Sequence, residues 1–269
     1  MKRFKSKDTM NTKDFKKLHK WNVVLAILHA LQGLAVVWLA KNVTFPVNTS
    51  YLTLDTINSN ANGMPNLVPA MQNVTNVNLA YLVALFFFMS ALAHGLLATY
   101  LRDWYESNLK NHINKMRWIE YSFSASTMMI GIALLSGIYD LSSLVMIFSL
   151  TAVMNLCGLV MELHNNKSKD VSWVSFVVGC IAGIVPWLVI GIYFWGSNMY
   201  GSGQIPTFVY WIYVSLFVFF NCFAINMYLQ YKRIGKWSDY LYGERVYMIL
   251  SLVAKSLLAW QVFFGALRP

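Results

Sequence analysis

The sequence predicts an all-α membrane protein, built as a bundle of seven transmembrane helices. Seven apolar stretches are each long enough to cross a bilayer, and lipid requires them to be helical because their backbone groups must be paired internally. Hydrophobic residues make up 57% of the chain and charged residues only 12%. Soluble domains carry about 25% charged residues, so the composition excludes an ordinary soluble domain.

The apolar stretches divide the chain into a basic tail at 1–21 and a bundle at 22–269, with one long connection at 41–78. At about 1.5 Å per residue, roughly 20 helical residues cross the hydrocarbon core. The stretches lie near 22–40, 79–101, 116–138, 142–163, 172–196, 206–230 and 246–267. Each is predicted to be one helix of a multi-pass membrane protein.

Lysine and arginine residues predict the orientation of the bundle. They are concentrated in the N-terminal tail and after the second, fourth and sixth stretches, whereas the other side has only Lys41 and Arg268. Because basic loops stay in the cytoplasm, we expect a cytoplasmic N-terminus and an extracellular C-terminus, with the protein in the cell membrane. The net charge of +10 therefore reflects topology, and no nucleic-acid partner is predicted.

The long connection after the first stretch is polar and lies on the predicted extracellular side. Short strands are expected near 44–47 and 51–54, since loops of this length are usually structured or functional. Asn42, Asn48 and Asn73 each begin a glycosylation sequon. These sequons are either modification sites or chance matches in an Asn-rich loop.

The three cysteines are interpreted as small core residues. Cys157, Cys180 and Cys222 all fall inside apolar stretches, which predicts buried thiols. Their number and spacing suggest neither a disulfide framework nor a metal site.

Lys255 is the residue that points most directly to a function. It is the only lysine or arginine that we assign to the interior of an apolar stretch, and it lies near the middle of the last one. A charge at that depth is costly and indicates a functional site. A lysine amine can avoid the cost by condensing with an aldehyde to form a Schiff base. Alternatively, Lys255 forms a bare salt bridge with Glu120.

The third stretch begins with a second candidate charge, Glu120. Arg117 lies one turn before Glu120 and Ser124 one turn after it, on the same helix face. Either Arg117 and Glu120 form an interfacial pair at the start of the helix, or Glu120 is the negative partner of Lys255. The second interpretation requires the helix to begin before the apolar stretch, near 111–115.

Two histidines lie at matched depth in the first two stretches. His29 and His94 are each about 10 Å from the cytoplasmic end of their helix. Gln32 shares a face with His29, and Ser90 shares one with His94. The histidines are either separate packing residues or members of one hydrogen-bonded, proton-accepting cluster, and we favour the cluster.

Other polar residues near the spans have more ordinary interpretations. Ser251 lies one turn before Lys255 and bonds either the Schiff base or its own helix backbone. Glu162 and His164 end the fourth stretch and are expected to be solvated. Asp140 is expected in a short turn.

Two segments resemble heliorhodopsins, which are inverted-topology microbial retinal proteins. They are RWIEYS at 117–122 and LSLVAKSLLAWQ at 250–261, and the histidine pairs also resemble that family's polar cluster. The resemblance covers the chain from about residue 20. It implies all-trans retinal on Lys255, Glu120 as the counterion, and a dimer covered by the long connection.

The same resemblance extends to the wall of the retinal pocket. Met128, Asn155 and Trp187 resemble pocket residues of that family. Together with Ser251, and with Tyr121 and Ser124 beside the counterion, they complete the set of candidate cofactor-binding residues.

Two departures from proton-pumping rhodopsins shape the functional prediction. Gly131 and Ser251 stand where those pumps have carboxylates, so we see no continuous proton relay. We expect a photoreceptor, not an enzyme, whose light-driven change is conformational and is passed to an unidentified cytoplasmic partner. The alternatives are a light-gated proton or cation conductor, and a retinal-free membrane transporter or structural protein.

A tag fused after Pro269 is expected to bind antibody on intact cells, whereas a tag before Met1 binds only after permeabilisation. The charge asymmetry of the loops is the physical reason. Immunofluorescence with and without detergent measures both, and the reverse pattern would overturn the inverted orientation.

Overall fold

The structure is a computed structural model that describes residues 12–55, 65–168, 170–202 and 205–269. Within these ranges it contains seven helices long and apolar enough to cross a membrane, which confirms the predicted bundle. The first half of the basic tail lies outside the described residues.

The seven long helices follow the predicted stretches closely in their apolar parts. They are α1 (Thr12–Leu39), α2 (Leu79–Ala98), α4 (Lys115–Leu135), α5 (Leu141–Lys167), α6 (Val174–Tyr200), α7 (Thr207–Lys232) and α8 (Tyr240–Val262). A short helix, α3 (Arg102–Lys110), connects α2 to α4, and a π-helical turn at Phe263–Leu267 ends α8. We call the end of the bundle where α1 begins the tail side, and the other end the hairpin side.

The largest differences from the sequence interpretation are on the tail side. Helix α1 begins ten residues before the first apolar stretch, and α8 begins six residues before the last. Asp239 caps α8, because its side chain accepts a hydrogen bond from the backbone N–H of Leu241. Polar residues in these first turns made the sequence resemble loops. The start of α4 at Lys115, by contrast, matches the early start that a deep Glu120 requires.

Helix α3 was not predicted from the sequence. The ion pair between Arg102 and Glu106, one turn apart, is half-exposed at the edge of the helix face on which Tyr105 and Leu109 are buried. These two residues join Phe15 and Leu18 of α1 in a small apolar core. This core holds the first turns of α1 against the tail side of the bundle.

The long connection forms a β-hairpin, so the all-α prediction holds for the bundle only. Strands β1 (Thr44–Leu54) and β2 (Leu67–Asn78) pair antiparallel with a bulge after Val47. The two short strands expected from the sequence are parts of β1, and β2, a mixed segment with a proline and three asparagines, was missed. A two-stranded ribbon is marginal alone, and this one is anchored at its base.

Backbone hydrogen bonds fix the hairpin base to the bundle. The Asn48 N–H donates to the Tyr139 carbonyl at 2.8 Å, and the Lys41 N–H donates to the Leu267 carbonyl at 2.7 Å. These bonds tie the hairpin to the loop between α4 and α5 and to the end of α8. Asp140 lies in that loop, as expected, and caps α5: its side chain accepts a hydrogen bond from the Ser143 N–H at 2.9 Å.

Helices α6 and α7 are separated by aromatic side chains instead of packing closely along their backbones. The Trp187 ring of α6 contacts Tyr213, Phe217 and Phe220 of α7 at centroid distances of 5.4–5.5 Å. This wedge leaves room for the cavities described below.

The prediction that the cysteines are core residues was wrong. Cys180 is exposed, and Cys157 and Cys222 are only half-buried. The apolar stretches predicted membrane burial, but they could not distinguish the outside of the bundle from its interior.

Candidate functional site

Lys255 lies inside the bundle and contacts two polar side chains. Its Nζ atom is 3.0 Å from Glu120 Oε1 and 2.9 Å from Ser251 Oγ, to both of which it donates. Glu120 comes from α4, whereas Ser251 precedes Lys255 by one turn of α8. The Lys255 side chain is 3% exposed and that of Glu120 is 8%, so the pair is shielded by protein.

Glu120 is held by α2 as well as by Lys255. The Ser90 hydroxyl donates to Glu120 Oε1 at 2.6 Å. Ser124 Oγ is buried and has no hydrogen-bond partner among the described residues, although it lies one turn from Glu120. A buried charge needs a partner and hydrogen bonds to its remaining lone pairs, and Lys255 and Ser90 supply these to Glu120.

The structure brings the two histidine rings together. His29 and His94 stack at a centroid distance of 5.8 Å with 9° between their planes. One ring nitrogen of His94, Nδ1, is 2.8 Å from Asn22 Oδ1. Both ring nitrogens of His29 are buried without a hydrogen-bond partner among the described residues.

The predicted polar companions of the histidines bond elsewhere. Gln32 accepts a hydrogen bond from the Trp260 indole at 3.1 Å. Ser90 donates to Glu120 and to the Phe86 carbonyl. Asn22, which sequence reasoning did not single out, is the residue that contacts His94. A polar residue seven positions before His29, on the same helix face, was the available signal.

Two adjacent cavities lie on the same side of the bundle, and the smaller one is beside Lys255. One of about 40 Å³ is lined by Lys255 and by the candidate pocket residues Tyr121, Ser124, Met128, Asn155 and Ser251. A second of about 130 Å³ lies between α5, α6 and α7 and reaches Trp187. Asn155, Phe220 and Phe223 line both. The walls are mostly apolar and aromatic, which suits a long conjugated hydrocarbon attached to a buried amine.

These observations test whether the residues present fit retinal. The Lys255 amine is a nucleophile that lines a mostly apolar cavity, and an anion lies within ion-pair distance of it. An aldehyde-bearing polyene would find its linkage, its counterion and its aromatic walls on one side of α8. The residues therefore fit the group.

A second buried charge cluster lies on the tail side of this pair. The Arg117 guanidinium forms ion pairs with Glu162 of α5 and Glu244 of α8, and its ring neighbours are Trp118 and Tyr247. The side chains of the two acids are 1% exposed. Two interpretations from the sequence were therefore wrong: Arg117 does not pair with Glu120, and Glu162 is not solvated. Among the described residues, Arg117 is, besides Lys255, a basic side chain that is buried within a candidate transmembrane span.

Sequence reasoning missed Glu244 entirely. It was assigned to a loop because the last apolar stretch was taken to begin at residue 246. The signal was present in the helix period: Glu244, Met248, Ser251 and Lys255 recur at the spacing of one helix face. Glu244 therefore shares a face of α8 with Lys255, which lies three turns later, and an acid on that inward face is expected to be buried.

The comparison with known proteins agrees with this geometry. No curated protein matches the sequence. The family model named Heliorhodopsin matches residues 18–267, which is nearly the whole chain. The chain thus belongs to the heliorhodopsin family and is a retinal-binding, light-sensing rhodopsin of the membrane.

Proposed function

We propose that Lys255 binds all-trans retinal as a protonated Schiff base, that Glu120 is its counterion, and that photoisomerisation produces a conformational signal without ion pumping. The observation that carries this proposal is the buried Lys255–Glu120 pair, whose lysine lines a cavity that shares wall residues with the aromatic space around Trp187. Retinal supplies the light-absorbing polyene and the aldehyde that condenses with the lysine amine.

Glu120 and Ser251 hold the proton of the linked nitrogen in the dark. Both lie within hydrogen-bond distance of Lys255 Nζ, and Glu120 supplies the negative charge that a buried cation requires. Ser90 fixes the carboxylate from the α2 side. Excluding bulk water from this group strengthens the attraction between the two charges.

When the proton leaves the nitrogen, the histidine cluster is the acceptor that we propose. His29 has two buried ring nitrogens without a partner among the described residues, and His94 stacks on it. A neutral imidazole nitrogen is a competent proton acceptor. The cluster lies on the Ser90 side of Glu120, so the proton stays inside the bundle.

The hairpin-side half of α4 supports the absence of pumping. Beyond Met128 its buried residues are apolar, and they pack in the main core with residues from the neighbouring helices. Gly131 lies in this half, where a pump's second carboxylate would stand. Without an ionisable side chain there, no group on α4 passes a proton toward the hairpin side.

The wider assignment follows the family and the charge pattern. We propose a cytoplasmic N-terminus, a cell-membrane location, a homodimer, and a signalling partner on the cytoplasmic side. The structure is of one chain, so these points rest on the basic loops and on the resemblance to heliorhodopsins.

A light-gated proton or cation conductor is the second candidate. A cavity of about 30 Å³ on the tail side favours it, because Glu120, His94, Arg117 and Glu244 all line that space. Family membership argues against the third class, a retinal-free transporter or structural protein.

Lys255→Ala is expected to reach the membrane but to stay colourless with all-trans retinal, because it lacks the amine that forms the linkage. Lys255→Arg is the matched control: it keeps a cation beside Glu120 but cannot condense with an aldehyde. Absorption spectra and retinal extraction after denaturation measure the outcome. A covalent visible pigment in either variant would place the linkage elsewhere.

Glu120→Gln is expected to lose its protonated pigment at a pH about one to three units lower than the wild type does. Two charges near 4 Å attract by about 4 kcal/mol at an effective dielectric of about 20, and one pH unit corresponds to about 1.4 kcal/mol. The remaining protonated pigment should be red-shifted, because the positive charge spreads along the polyene. Dark spectrophotometric titration in chloride-free buffer measures both effects.

Glu106→Gln is the matched control for that titration, since Glu106 lies in a half-exposed ion pair of α3 with Arg102. It should titrate like the wild type. An unchanged midpoint and spectrum in Glu120→Gln would show that another group holds the Schiff-base charge.

Illumination is expected to evoke no sustained current under voltage clamp and no uncoupler-sensitive pH change in cell suspensions. The apolar hairpin-side half of α4 is the physical reason. A steady photocurrent that reverses with voltage would favour the conductor, whereas an uncoupler-sensitive pH gradient would show pumping.

A further inference from the structure

The Arg117 cluster carries one more acid than base. Glu162 and Glu244 both pair with the single Arg117 guanidinium. Among the described residues, no second lysine or arginine forms an ion pair with either acid. Like charges on one cation disfavour the ionisation of both acids, so such a cluster has capacity for one proton.

Hydrogen bonds to the two carboxylates favour their ionised forms, which opposes the effect of the excess negative charge. The cluster can therefore both bind and release a proton. The Asn114 N–H donates to Glu162 Oε2 at 2.9 Å, and the Asn114 side-chain amide donates to Glu244 Oε2 at 2.7 Å. The Tyr240 hydroxyl donates to Glu162 Oε1 at 3.4 Å. Donors of this kind favour a carboxylate, whereas burial beside a second carboxylate favours its protonated form.

A cavity connects this cluster to the Lys255 site. Its volume of about 30 Å³ is enough for a water molecule, and polar groups surround it. Glu120 and His94 line its inner end, and Glu244 and Arg117 line its tail-side end. Glu162 does not line it, so Glu244 is the acid of the cluster that faces the Lys255 site.

The ionisable groups around Glu244 come from several elements. They are Arg117, Glu120 and Tyr121 of α4, Glu162 of α5, Tyr240 and Tyr247 of α8, Tyr105 of α3 and His94 of α2. Burial raises the pKa of the Tyr105 phenol, which therefore stays protonated and can donate a hydrogen bond within the cavity. From α1, Asn22 lines the cavity without a titratable group.

We propose that Glu244 is a second proton-binding site, which takes up from the histidine cluster the proton that has left the Lys255–Glu120 pair, with Arg117 and Glu162 setting its proton affinity. This inference rests on the proposed function. The transfer conserves charge: the O–H bond forms on Glu244 as an N–H bond of the histidine cluster breaks, by way of His94 and cavity water. The proton then returns by the same route during recovery.

Light-minus-dark infrared difference spectra of the retinal-bound, full-length protein in lipid test the proposal. The wild type is expected to gain a carboxylic-acid C=O band while its visible pigment is deprotonated. Glu244→Gln should lose that band, and Glu244→Asp should shift its frequency. Glu162→Gln should keep a shifted band, because it changes the neighbour and not the proton-binding acid. Glu106→Gln controls for surface acids.

Each outcome decides between the possibilities. Absence of the band in the wild type, or its persistence unshifted in both Glu244 variants, would overturn the proposal. Loss of the band in Glu162→Gln alone would place the proton on Glu162 and overturn it too. If Glu244→Gln does not form a pigment, the frequency of the C=O band in Glu244→Asp decides: a shift supports the proposal, and an unshifted band overturns it. A wild type that binds no retinal would instead refute the proposed function, so the two failures are distinguishable.

Discussion

The ion pair between Lys255 and Glu120 is the interaction around which the interior of this protein is arranged. A lysine in the middle of a membrane span is too costly to leave unpaired, and the anion must come from another helix. Glu120 supplies it from α4, which fixes the rotation of α4 against α8. Ser90 then fixes α2 against the same carboxylate. Three helices thus take their relative rotation from one buried charge.

The two halves of the bundle differ in polarity as a result. On the tail side, Arg117, Glu162 and Glu244 join α4, α5 and α8 through a second buried ionic cluster. On the hairpin side, the buried residues of α4 are apolar from Met128 onward. Charge can therefore be redistributed at lower cost in the tail-side half, because a charge moved along the hairpin-side half of α4 would meet no ionisable partner on that helix.

The parts of the fold that could be predicted from the sequence are those that depend on hydrophobicity and charge repeated along the chain. The length of the apolar stretches predicted seven helices. The position of Lys255 in the middle of a stretch, together with the requirement that α4 begin early, predicted the Lys255–Glu120 pair. The family assignment rested on the segments around those two residues, and the family match confirmed it. The roles of the individual site residues stay predictions.

What the sequence did not yield depends on neighbours that lie far apart along the chain. Glu162 and Glu244 look like solvated helix ends until the fold places both against Arg117, 45 and 127 residues away from it in the chain. Strand β2 is a mixed segment that is largely exposed, and it forms by pairing with β1. The exposure of Cys180 depends on which face of α6 packs inward. The helix period places Glu244 on the face of Lys255, but only the fold identifies Arg117 as its partner, and the other cases are likewise settled by a partner helix or strand.

The anchored base of the β-hairpin has a mechanical consequence. Its bonds to Tyr139 and Leu267 hold the loop between α4 and α5 and the end of α8 together, so the hairpin side acts as a pivot. Helix α8 has 23 residues and is about 35 Å long. If it tilts by about 5° around that pivot, its far end moves by about 3 Å, as for any lever of this length. Small distortions beside Lys255 are therefore geometrically amplified at the face where the basic loops lie.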